Sequence, residues 1–137
     1  MTRYIALVDH ADGAYGVAFP DAPGCTAMAA SQDEALRNAA DALAEWMADE
    51  MADGRELPPP TPAEALLADA DVAAALARGA VLASVPLLLD SGKQARANIS
   101  LDAGLLADID RTAHRLGVTR SAFLAAAARD KIKAETV

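Results

Sequence analysis

Residues 95–101 read Ala-Arg-Ala-Asn-Ile-Ser-Leu, and their alternation decides how the C-terminal third is understood. Ala97, Ile99 and Leu101 fall on one side of an extended chain and Arg96, Asn98 and Ser100 on the other, which predicts a half-buried strand. Asp102 can cap the helix that follows, whose apolar positions are Leu105, Leu106, Ile109, Ala113 and Leu116. Gly117 ends that helix, and Thr119 caps a second one carrying Phe123, Leu124, Ala127, Ala128 and Ile132. A strand and two helices over roughly 40 residues bury too little surface to be stable alone, and a lone strand leaves an unpaired edge. A second copy answers both needs: two strands form an antiparallel ribbon, and four helices enclose a common core.

Such a ribbon exposes Arg96, Asn98 and Ser100 from each copy. A two-stranded ribbon fits the major groove of B-DNA, where Arg bonds guanine and Asn bonds adenine through two hydrogen bonds each. The start of the second helix, at Thr119 and Arg120, offers backbone amides and a cation to a phosphate. Lys93 adds a cation just before the strand. The run from the strand through Asp-x-x-Leu-Leu-x-x-Ile-Asp (102–110), Leu-Gly-Val (116–118) and Thr-Arg-Ser-x-Phe-Leu (119–124) resembles the ribbon-helix-helix repressors. That resemblance assigns Arg96, Asn98 and Ser100 to base reading, and Thr119 and Arg120 to phosphate clamping.

The charge agrees with a division of labour. Residues 1–90 hold four basic side chains against fifteen acidic ones, a balance of −11. Residues 91–137 hold eight basic against five acidic, a balance of +3. An acidic body suits a basic protein partner, and a basic tail suits a phosphate backbone. Asp90-Ser91-Gly92-Lys93 is the linker, so the expected domains are 1–90 and 91–137.

Upstream, residues 3–10 and 14–19 predict a hairpin around Ala11-Asp12-Gly13. Residues 20–24, with two prolines and a glycine, predict a loop, and 25–29 a short third strand. Ser31-Gln32-Asp33-Glu34 has the form of a capping box that opens a helix to about Asp53. Its buried face is expected to be Leu36, Ala39, Ala40, Leu43, Trp46, Met47 and Met51. Leu57 to Pro62 forms a stiff connector. Residues 63–78 read as an Ala-rich helix, or as a loop, and Ala80 to Leu89 as a buried strand that Pro86 places at an edge or ends.

The whole is therefore α+β: a small β-β-β-α-β domain followed by a β-α-α module. Tyr4 to Val8, the stretch Gly16 to Thr26 with its Phe-Pro-Asp-x-Pro-Gly-Cys core, and Asp33 to Leu43 resemble the N-terminal domain of HicB antitoxins, as does the Pro-rich connector. This implies a partial RNase-H-like fold that binds a HicA-like toxin, an RNA-cleaving protein. The expected function is that of an antitoxin that neutralises the toxin through its N-terminal domain and represses its own promoter through its C-terminal one. A repressor without a toxin, whose N-terminal domain senses a ligand or oligomerises, is the alternative. The expected partners are the toxin, operator DNA and a second copy of the chain, with dimer and tetramer both open.

Catalysis is not expected. Asp9, Asp12 and Asp21 lie near strand ends, where a nuclease would hold divalent ions, but Asp12 is explained by the turn. Only Asp9 sits on a strand, so no metal site and no cofactor is expected. His10 and His114 belong to different modules. Cys25, the only cysteine, excludes an internal disulfide, and no basic neighbour is foreseen to activate it. No apolar run reaches the ~20 residues of a membrane span and no signal peptide is read, which predicts a cytoplasmic protein.

Overall fold

The structure is a computed structural model, described here for residues 1–135. Contacts divide the chain into two compact units. The first takes Met1–Leu89 with residues 133–135, and the second takes Asp90–Ile132.

The first unit is an antiparallel four-stranded sheet with one long helix on one face. Its strands are β1 (Arg3–Ala11), β2 (Ala14–Phe19), β3 (Ala22–Ala29) and β4 (Val81–Pro86), in the order β3-β2-β1-β4. The β1–β2 turn puts Asp12 at φ 53° and Gly13 at φ 77°, the left-handed pair that a tight hairpin requires. Leu7 faces Ala18, Val8 faces Val17 and Asp9 faces Gly16 across that pair.

The third strand corrects the expectation of a loop at 20–24. Strand β3 already begins at Ala22 and includes Pro23 and Gly24. It pairs with β2 alone, so it is an edge strand, where a proline forfeits no ladder bond. The register slips between Ala18 and Phe19, bringing Phe19 opposite Ala22, and Gly24 takes φ 86°. These irregularities absorb the turn-forming residues without ending the strand.

Helix α1 (Gln32–Ala52) covers the face carrying Tyr4, Ala6, Val8, Val17 and Val85. Ser31 caps it, its Oγ accepting from the Glu34 N–H at 3.2 Å. The buried positions are Ala35, Leu36, Ala39, Ala40, Leu43 and Met47. Ala35 joins the expected face, whereas Met51, in the last turn, is 56% exposed. Trp46 is half-buried, and its indole N–H donates to the Pro23 carbonyl at 3.2 Å, so it is a packing residue with its polar end satisfied.

The Ala-rich stretch at 63–78 is two short helices, α2 (Ala63–Leu67) and α3 (Ala70–Ala77). Asp69 separates them: its carboxylate accepts from the amides of Asp71 (2.9 Å) and Val72 (3.1 Å), which starts a second helix in a stretch that reads as one helix or as a loop. Strand β4 stops at Pro86, short of the expected Leu89, and lies at the other sheet edge.

The second unit holds α4 (Ala103–Leu116) and α5 (Arg120–Ala134, whose last residues fall in the first unit). Asp102 Oδ2 accepts from the Leu105 amide at 3.1 Å, and Gly117 closes α4 at φ 72°. Thr119 Oγ1 accepts from the Ala122 amide at 3.1 Å. Residues 95–101 form no strand within the chain. A strand exists by virtue of its ladder, and this segment has no ladder partner among the described residues.

Candidate functional site

Two surfaces carry chemistry, one in each unit. In the second unit, residues 93–98 run along the first turns of α5 and bound a groove of about 840 Å³. Lys93, Arg96 and Asn98 line one wall, and Thr119, Ser121 and Arg129 the other. Four of the residues expected to meet DNA therefore share one groove. Arg120 borders an adjacent hollow with Asn98, Ile99 and Leu124, and Ser100 lines neither.

Arg129 is not among the residues the sequence singles out. It lies on one helical face with Thr119, Ala122 and Ala125, a spacing from which it was readable. Its guanidinium meets Asp90 at 2.8 Å. Arg120 is likewise engaged: Nε and Nη2 each donate to the Asp110 carboxylate at 2.8 Å. Hydrogen bonding and attraction within this fork lower the Asp110 pKa and raise that of Arg120. In the sequence Asp110 is only part of a helix motif, and nothing in the spacing of the two residues announces the pair.

The apolar side chains of this unit are poorly covered. Ile109 and Ala113 are the only buried residues of α4, and α5 has none among the described residues. Ile99 is 62% exposed, Leu105 50% and Leu116 60%. Of the side chains expected in a core, Ile99, Leu105 and Leu116 thus lie on the surface of the single chain, while Ile109 and Ala113 are buried.

In the first unit the acidic residues are dispersed. Asp12 serves the hairpin turn. Asp21 accepts from the Thr61 amide at 2.8 Å and from the Thr61 hydroxyl at 2.6 Å, tying the Pro-rich connector to the β2–β3 turn. Tyr4 adds a second tie, its hydroxyl donating to the Pro58 carbonyl at 2.6 Å. Burial, then the Asp21 charge, raise the Tyr4 pKa. Among the described residues no three His, Cys, Asp or Glu side chains gather as metal ligands. Cys25 is buried, and burial, then the Glu45 charge, push its thiol pKa up, opposite to the activation a nucleophile needs. Among the described residues, no helix is long and apolar enough to cross a membrane.

Asp9 has a different setting. It points from the sheet face opposite α1, beside Leu7, Gly16 and Met28, into a groove of about 740 Å³.

Comparison with known proteins follows this geometry. A family model described as the HicB-like antitoxin of bacterial toxin-antitoxin systems matches residues 4–128. The chain is similar to the crystal structure of the Burkholderia pseudomallei antitoxin HicB, with 31% identity over 96% of this chain and 99% of that one (TM-score 0.56). It is also similar to the N-terminal domain of the Burkholderia pseudomallei antitoxin, with 28% identity over 64% of this chain and 100% of that one (TM-score 0.54). The fold recurs in a HicA3 and HicB3 toxin-antitoxin complex, at 22% identity over 65% of this chain and 99% of that one (TM-score 0.52). No curated protein matches the chain significantly.

Proposed function

The chain belongs to the HicB-like antitoxin family of bacterial toxin-antitoxin systems, and we propose that it neutralises a HicA-like, mRNA-cleaving toxin and represses its own promoter. Residues 1–90 are the toxin-binding domain, of partial RNase-H-like fold, and residues 91–137 the ribbon-helix-helix module. The observation that carries the reading is the family match over 4–128, which runs through both units. The toxin-antitoxin complex of similar fold supports a toxin partner. An acidic first unit complements a basic RNA-binding protein and competes for the surface that RNA would use. The action is occlusion in the cytoplasm, and it uses no catalytic residue and no cofactor.

DNA recognition is assigned to a homodimer. In a second copy, residues 95–101 gain the ladder partner they lack, and Ile99, Leu105 and Leu116 gain cover. Arg96, Asn98 and Ser100 then read bases, while Lys93, Thr119 and Arg120 meet phosphates. Pairing of the first units as well would extend the dimer to a tetramer.

The full-length chain, used as bait in its native host, tests the toxin arm. A small basic protein recovered in stoichiometric amount, whose RNA cleavage the chain stops, is the expected result. Recovery of nothing leaves a repressor without a toxin. Anisotropy with the chain's own promoter tests the other arm. Asn98→Ala is expected to cost about 1–3 kcal/mol on the operator and relax base preference. Arg120→Ala should weaken all sequences alike. Unchanged operator binding by Asn98→Ala refutes the ribbon reading.

A further inference from the structure

The sheet has two faces, and only one is covered by α1. On the other, alternation along the strands sets up cross-strand rows. Asp9, Gly16 and Met28 form one row, and Leu7, Ala18 and Thr26 the next, with Leu82 of β4 opposite Leu7. Ala18 and Thr26 are exposed, and Met28 is 67% exposed. Ala75 and Ala80 border the resulting groove, so its lining is largely apolar.

Among the described residues, its only charged side chains are Asp9 and Asp12, and no basic residue lines it. Asp12 stands in the hairpin turn, at φ 53°. Among the described residues no hydrogen bond or ion pair reaches the carboxylate of either residue. Gly16 explains how the Asp9 carboxylate lies where it does. A Cβ on residue 16 would stand 2.7 Å from Asp9 Oδ1, so the exposed Asp9 side chain lies over the glycine backbone at the groove. A glycine inside a strand weakens it, and here its place is a close approach by a charged group. The outward side of α1 is also acidic, with Asp33, Glu34, Asp41 and Glu45. Those charges follow one another along a solvated helix, whereas Asp9 and Asp12 are set in a groove whose other lining residues are uncharged.

Two exposed carboxylates, no basic side chain and a largely apolar lining are matched by a cation carried on an apolar surface. As docking expels water, such a pair is strengthened, and the surrounding apolar contacts exclude solvent from it. We propose that this outer sheet face is the docking surface for a basic protein partner, with Asp9 receiving a lysine or arginine from it. The proposal rests on the antitoxin reading above and identifies the surface through which the toxin is held.

The test uses the full-length chain and the purified toxin encoded in the neighbouring reading frame, with affinity measured by calorimetry. Asp9→Asn keeps the shape and removes the charge, and Met28→Glu spoils the apolar rim. Glu45→Gln and Asp49→Asn alter the helix face. Each of the first two is expected to weaken binding about tenfold or more, and the helix variants less than about twofold. Gly16→Ala, which displaces the carboxylate, should resemble Asp9→Asn, and unchanged melting curves will show that the variants are folded. Wild-type affinity in both Asp9→Asn and Met28→Glu overturns the proposal, as does a loss confined to the helix variants. A change in sedimentation without toxin would assign the face to a second copy, and also overturns it. Failure of the wild-type chain to bind the toxin removes the antitoxin reading itself, a result distinct from the others.

Discussion

Asp21 offers a quantitative test of what holds the first unit together. Its carboxylate takes both hydrogen bonds offered by Thr61, at 2.8 and 2.6 Å, and with the Tyr4–Pro58 bond it ties the Pro-rich connector to the sheet. A hydrogen bond to a charged group contributes about 1.5–3 kcal/mol net. These two share one half-exposed acceptor, so they are not additive, and Asp21→Ala should cost about 2 kcal/mol. For a unit of this size that corresponds to a fall in melting temperature of about 8–16 °C. The Asp21→Asn variant retains one acceptor oxygen and should recover about half the loss. Urea denaturation of the wild type and the two variants is the assay, together with alkaline absorbance titration of the tyrosines. Because the Asp21 charge helps raise the Tyr4 pKa, removing it should let Tyr4 ionise at lower pH. A loss below about 0.5 kcal/mol in Asp21→Ala would refute the argument that these bonds anchor the connector.

Leu43 is fully enclosed, so Leu43→Ala should cost about 2–5 kcal/mol in the same denaturation assay. Cys25, buried and with its thiol pKa raised, should resist alkylation in the native protein and react quickly in denaturant; fast native labelling would contradict its burial. The Asp110 pKa is depressed in the folded chain. Its contribution to stability is therefore present above the unfolded carboxylate pKa and fades as pH falls through the lower folded value. Asp110→Asn should reduce that acid-side dependence, read by melting between neutral and acidic pH. Replacing Ile99, 62% exposed in the single chain, with Asp should shift full-length protein toward monomer in sedimentation equilibrium if the two copies bury it together.

What could be read from the residues divides along a physical line. Local signals were legible: the Asp12-Gly13 turn, the Ser31 cap, the Asp102 cap and the Gly117 stop are each decided by a few neighbouring atoms. The α+β class and most of the α1 face followed from periodicity. Errors arose where the outcome depends on distant pairing. Pro23 and Gly24 look like loop residues until β3 is known to be an edge strand. The strand expected at 95–101 was expected to pair with a second copy, and among the described residues it has no ladder partner. Lys93, Arg96, Asn98 and Thr119, singled out by pattern, line one groove. The Arg120–Asp110 fork depends on the packing of two helices and left no mark in the spacing.

The thin core of the second unit bears on regulation. Among the described residues helix α5 has no buried residue, and α4 only two. On the dimer reading, the enclosed core is produced by the association event itself, so the population competent for the promoter scales with the square of the free chain at low abundance. Dilution below the dissociation constant exposes backbone and apolar side chains to cellular proteases, which remove monomer and draw the equilibrium further down. Promoter occupancy would then track copy number more steeply than a preassembled repressor allows, with the first unit's independent core still intact as the second is lost.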